Sequence, residues 1–271
     1  MKIRLQATIY LLLFTLSLNA QSGIVVGING QYLVRVNLET AALKPLSQIA
    51  NLPDGEELRN LVYVAKDKAL YSTLYTKTKP TLVRIQLDGS WEEVGLFTYG
   101  DGAVPYFCEA LSYNEETDQL ILAASLDGAI SRDKKSESLL VVNRSDASCY
   151  QLASIRQGIA PDDFDEIAFF RNYLFCLDGT PGINNTYVFP FATDRLTGIL
   201  FSGTKQNIPY FTMDDVMTMG QLLYFPHTQN GHLYRYDLMA RKWSQVAQLQ
   251  GPSLIGKIKL TGLAFVPLEQ A

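Results

Sequence analysis

The chain has 271 residues, of which 23 are basic and 27 acidic, for a formal charge of −4 at neutral pH. Its lysines and arginines form no dense cluster, which argues against nucleic acid or an anionic membrane as a partner. Three cysteines, Cys108, Cys149 and Cys176, are too few and too odd in number for a disulfide framework, and their apolar surroundings read as buried structural thiols.

In chain order, residues 1–20 come first and read as a secretory signal. Lys2 and Arg4 precede the apolar run Ile9-Tyr-Leu-Leu-Leu-Phe-Thr-Leu16, and Leu18-Asn-Ala20 supplies a small-residue cleavage site before Gln21. The run is too short to span a bilayer comfortably, and no cysteine follows it to carry a lipid. The expectation is therefore a secreted or periplasmic protein. Cleavage removes Lys2 and Arg4 and no acid, taking the formal charge from −4 to −6. Residues 21–271 are long enough for a single large domain.

Gly23-Ile-Val-Val-Gly-Ile28 is the first strand-like run, followed by Leu33-Val-Arg-Val-Asn-Leu-Glu-Thr40. The second of these recurs as Leu82-Val-Arg-Ile-Gln-Leu-Asp-Gly89 and Leu233-Tyr-Arg-Tyr-Asp-Leu-Met-Ala240. Weaker copies begin at Leu139 and Thr186, so the steps between copies are 49, 57, 47 and 47 residues. Around each copy four short strands can be placed. The first carries an apolar-x-aromatic signature: Leu61-Val-Tyr63, Leu111-Ser-Tyr113, Ile167-Ala-Phe169 and Leu263-Ala-Phe265, with a weaker Val216-Met-Thr218. The second includes Ala69–Tyr75, Gln119–Ala124, Tyr173–Leu177 and Leu222–Phe225, and the fourth includes Trp91–Leu96 and Trp243–Leu249. Beyond the leader, no stretch holds apolar residues at helical spacing for ten residues, which removes α/β folds.

Four strands per repeat of roughly 47 residues is the geometry of a propeller blade. The run at Gly23 matches a second strand, and the missing first strand, Leu260–Val266, lies at the C-terminus. The expected fold is thus all-β: a five-bladed β-propeller with four-stranded blades, one of them completed by the N- and C-terminal strands. The hairpins at Leu33–Leu38, Leu82–Leu87 and Leu233–Leu238 resemble those of secreted β-propeller repeat proteins. Such propellers include lectins, hydrolases, lyases and inert scaffolds, so the resemblance implies an architecture and assigns no activity.

The loops entering the first strands are long, and each carries a proline: Pro53, Pro105, Pro161, Pro209 and Pro252. The opposite turns are tight, so a site is expected on the long-loop face, at the channel mouth. Two residues before each first-strand anchor stand Arg59, Glu109, Asp165, Asp214 and Thr261, with Glu166 and Asp215 next along. Converging Glu109, Asp165 and Asp214 support three readings. They could satisfy loop amides as strand caps, ligate Ca²⁺ through carboxylate oxygens, or serve as the acid and base of a carbohydrate-active hydrolase. Arg59 could hold one carboxylate ionised or bind an anionic group. Tyr106, Phe107, Tyr210 and Phe211 follow prolines on the same face, where they can stack on a sugar or apolar ligand or pack over the blade tops. His227 and His232 flank a probable hairpin and lack further zinc ligands in sequence. No nucleophile elbow, phosphate loop or dinucleotide fingerprint occurs. The first expectation is a binding module for a small molecule, glycan or protein, without insertion into a membrane. The hydrolase is the alternative.

Overall fold

The computed structural model describes residues 22–75, 79–126, 137–155, 166–170, 173–178, 185–192, 195–196, 201–202, 215–227, 230–240 and 242–268. Residues 1–20, where the sequence suggests a leader, lie outside them. Strands come in runs of about four, separated by the polar turns that the sequence marks. The first run is β1 (Gly23–Asn29), β2 (Tyr32–Val36) and β3 (Leu43–Gln48). The second is β4 (Glu57–Val64), β5 (Ala69–Tyr75), β6 (Pro80–Ile85) and β7 (Trp91–Leu96), followed by the short β8 (Thr98–Tyr99). The third is β9 (Phe107–Asn114), β10 (Gln119–Ser125), β11 (Glu137–Val142) and β12 (Ser148–Ile155). The fourth is β13 (Glu166–Phe170), β14 (Tyr173–Asp178) and β15 (Asn185–Ala192), with the fragments β16 (Arg195–Leu196) and β17 (Phe201–Ser202). The last strands are β18 (Met217–Met219), β19 (Leu222–His227), β20 (His232–Asp237) and β21 (Lys242–Gln248), and then β22 (Leu260–Pro267). Among the described residues the one helical element is a single 3₁₀ turn at Ser253–Ile255.

The architecture is a β-propeller with four-stranded blades. Among the described residues the strands form five sheets: β22-β1-β2-β3, β4-β5-β6-β7, β9-β10-β11-β12, β13-β14-β15-β16 and β18-β19-β20-β21. In the third, β8 pairs in parallel with β12, and in the fourth, β17 pairs with β15. The first sheet joins both ends of the chain, since β1 pairs antiparallel with β2 on one side and β22 on the other.

The innermost strands β22, β4, β9, β13 and β18 lie against one another in sequence order, and β18 also touches β22. Each gap between neighbouring sheets holds an apolar cluster. Leu33 and Ile28 meet Leu58 and Leu70; Tyr71 and Leu82 meet Leu111 and Leu122; Ala110 and Ile121 meet Ile167 and Leu174. Ala168 meets Val216 and Leu223, and Met217 and Leu233 meet Val34 and Leu263. Because side chains alternate along a strand, every inner strand feeds two such clusters, which is why its sequence is apolar on both faces.

Outer edges are tied by a repeated backbone bond. Chain leaving β3 donates from Ala50 N to Gly89 O at 3.1 Å, chain leaving β7 from Thr98 N to Ala147 O at 3.3 Å, and chain leaving β21 from Gln250 N to Ala41 O at 3.2 Å. All three acceptors sit at positive φ, at 87°, 60° and 54° respectively. The buried anchors Ile49, Phe97 and Leu249 immediately precede the three donors. A Cβ on Gly89 would lie 2.0 Å from the Gln48 carbonyl oxygen, so this turn needs glycine both for its φ and for the close approach.

Candidate functional site

Inner strands enter from the long-loop side, and three of them bulge there. Pairing with the second strand skips Asn60 in β4, Glu109 in β9 and Thr261 in β22. Bulges turn extra side chains and unpaired amides toward the space between strands. In β4 the skipped residue is Asn60 and not Arg59, one position on from the aligned set; Asn60 takes φ 58°, a conformation asparagine tolerates.

Each bulge binds its neighbour. Thr261 Oγ1 donates to Leu58 O at 2.6 Å, and Asn60 Nδ2 donates to Glu109 O at 3.2 Å. Arg59 binds Glu57 through Nε and an amino nitrogen at 2.9 and 2.8 Å, and Lys259 Nζ holds the other Glu57 oxygen. Burial alone would raise the Glu57 carboxyl, but the hydrogen bonds from Lys259 and Arg59 outweigh it and hold it below its usual range. The Arg59 guanidinium also stacks 5.0 Å above the Tyr75 ring, and Tyr75 meets Phe107 at 6.0 Å between centroids. Phe107 and Tyr106 are 39% and 55% exposed.

Below this layer lies Asp215, which is fully buried. Its Oδ2 accepts the Leu61 N–H of β4 at 2.9 Å and the Leu263 N–H of β22 at 2.5 Å, and its Oδ1 accepts the Val216 N–H at 2.9 Å. One carboxylate thus ties three sheets together across the channel. Glu166, also buried, stands at the matching position one residue before the anchor Ile167. Asp165, Asp214 and Tyr210 lie outside the described residues, as does Phe211, so Glu109 alone of the predicted acid triad is placed: half-buried, at the β9 bulge. Among the described residues no group of three His, Cys, Asp or Glu side chains is arranged to hold a metal ion.

Beyond Asp215, toward the tight-turn side, the channel widens into a cavity of ≈400 Å³. Leu61, Val216 and Leu263, whose amides hold Asp215, form its floor. Tyr63, Phe169, Met217 and Phe265 line its walls, and Glu115 and Glu116 stand at its rim.

Elsewhere, His227 and His232 face each other across β19 and β20 as the hairpin pair that their spacing suggests. The Cys108 and Cys149 thiols are buried, and burial pushes Cys149 up to about 12. The Cys176 side chain is outside the description. Sequence reading missed Glu57 and Lys259, although Glu57 stands two residues before Arg59 and so shares its strand face. It grouped Asp215 only as a neighbour of the aligned set; the three N–H groups that Asp215 collects come from separate parts of the chain.

No family model and no curated protein matches the chain. Solved structures do. A chain from a nidogen/laminin complex superposes with a TM-score of 0.55 at 14% identity, covering 92% of this chain and 100% of that one. TolB from Acinetobacter baumannii superposes with a TM-score of 0.50 at 13% identity, covering 92% of this chain and 67% of that one. These neighbours are β-propeller proteins, and at such identities the likeness shows the fold alone. Among the described residues no helix is long and apolar enough to cross a membrane.

Proposed function

We propose that this protein is a secreted binding module: a five-bladed propeller, exported by removal of residues 1–20, that takes a glycan, small molecule or protein on its long-loop face. The five sheets supply the blades, and the pairing of β1 with β22 supports a ring closed by its own termini. The observation that carries the binding reading is the split between charges and aromatics at the mouth. Glu57 is held by Arg59 and Lys259, and Asp215 is engaged by three backbone amides, while Tyr106 and Phe107 stand open to solvent beside the Arg59–Tyr75 stack. Committed charges beside exposed aromatics suit recognition by stacking better than proton transfer. One structural neighbour comes from a nidogen/laminin complex, which agrees with a protein as ligand.

A glycan array probed with the purified protein tests this, with the double variant Tyr106→Ala/Phe107→Ala alongside. Binding that disappears in the variant while its melting temperature holds supports the module. Turnover of a chromogenic glycoside that Glu109→Gln abolishes would establish the hydrolase instead, with Glu109, Asp165 and Asp214 as its acids. The same carboxylates are the proposed Ca²⁺ ligands. Binding to the native state must raise apparent stability, so unchanged melting between millimolar Ca²⁺ and EDTA removes the calcium site.

A further inference from the structure

The cavity on the tight-turn side is a second, separate place for a ligand, and its chemistry differs from that of the long-loop mouth. Its volume of ≈400 Å³ lies in the range of small-molecule pockets, and all five inner strands contribute to its lining. Tyr63, Phe169, Met217 and Phe265 present an apolar, polarisable wall that gains by burying an aromatic ring.

Two further observations set the polarity of the occupant. First, three amides at the floor are already engaged and cannot hold an anion. The Leu61, Val216 and Leu263 N–H groups, which would otherwise form an anion nest, are all spent on Asp215. Second, the rim is acidic. Glu115 and Glu116 line the opening, and among the described residues neither makes an ion pair. Two described cations near this end are directed elsewhere: Lys66 binds Asp118, and Arg144 binds Asp67 and Asp118.

We infer that this cavity binds a small arylalkylamine, with its ring against the Tyr63–Phe265 wall and its ammonium between Glu115 and Glu116. Carboxylates attract the ammonium, and the aromatic faces add cation–π attraction. Arylalkyl acids of the same shape are repelled by the rim and find the three floor amides already engaged.

Tyramine is the probe, compared by calorimetry and thermal melting with 3-(4-hydroxyphenyl)propionate, its acidic counterpart, and 4-ethylphenol, its neutral one. Tyramine at about 10 mM raises the melting temperature, and the acid does not. The variant Glu115→Gln/Glu116→Gln, in exposed turn positions that leave the fold intact, weakens tyramine about tenfold, to the level of 4-ethylphenol. Tyr106→Ala/Phe107→Ala leaves tyramine binding unchanged, which separates this cavity from the long-loop face. Absence of any tyramine shift, equal binding of the acid, or full binding by the glutamine variant overturns the assignment.

Discussion

Asp215 does more for this fold than any other single side chain described. It accepts amides from β4 and β22 and from its own successor, so that both oxygens are occupied by backbone N–H groups. A carboxylate suits this place because all of its hydrogen-bonding sites are acceptors. Asparagine has nearly the same shape but turns an NH₂ toward at least one of the incoming N–H groups. Asp215→Asn should therefore lower the unfolding free energy by about 3 kcal/mol, because an amide of the channel then loses its acceptor and meets a donor. Urea denaturation of the two proteins measures this directly; an unchanged midpoint would show that the amides have another acceptor.

Between elements, the second and third sheets are clasped by Arg144, whose turn position gave no hint of it. Its guanidinium donates to Asp67 at 2.7 Å and to Asp118 at 2.8 Å, with a third bond to the Asp118 carbonyl at 2.9 Å. Tyr71 and Tyr113 hydroxyls bind the same two carboxylates, and Arg144 is only 17% exposed. Burial alone would lower the guanidinium, yet its bonds to Asp67 and Asp118 hold it above its usual range. Arg144→Met should cost about 2 kcal/mol at neutral pH, since it leaves two partly buried carboxylates without their shared cation. The pH dependence has a definite sign. Asp118 is held below its ordinary 3.8 by Lys66 first, then by Tyr113 and Arg144. The unfolded chain therefore takes up the proton at higher pH than the folded one. The clasp's contribution is complete above the unfolded value and fades as pH falls through the folded one. In Arg144→Met the acid limb should be shallower, as midpoints measured across a pH series will show. The elements themselves were legible because alternation and turn residues are local signals: Leu61-Val-Tyr63 lies within β4, and the polar Asp88-Gly-Ser90 turn joins β6 to β7. Bulges were not, because Asn60, Glu109 and Thr261 become unpaired only through how neighbouring strands converge. The cavity was missed for a related reason. Its wall residues read as core in a strand pattern, and only the gap between five inner strands leaves them facing open space.

For the whole molecule, the two ends of the described chain meet in one sheet. Gly23 stands opposite Pro267, and the Leu268 N–H donates to the Ser22 carbonyl at 2.8 Å. Strand β22 carries Leu260 and Leu263 into one apolar cluster and Ala264 and Val266 into another, so it serves two gaps at once. A Cβ on Gly262 would lie 2.8 Å from the Leu61 Cβ, which shows how closely β22 packs on β4. Deleting residues 260–271 would remove that packing, take from Asp215 the Leu263 N–H that shares its Oδ2 with Leu61, and expose the backbone edge of β1 to pairing between molecules. The connection through the chain matters much less than the pairing. A circular permutant that joins Leu268 to Ser22 by a linker of about four residues, and opens at the exposed turn Gly100-Asp101-Gly102, keeps every strand. The permutant should be soluble and melt cooperatively with the parent's circular dichroism, while the truncation should aggregate or lose its cooperative transition. A soluble, cooperatively melting truncation would mean that β22 is dispensable and that the ring is held by the other sheets alone.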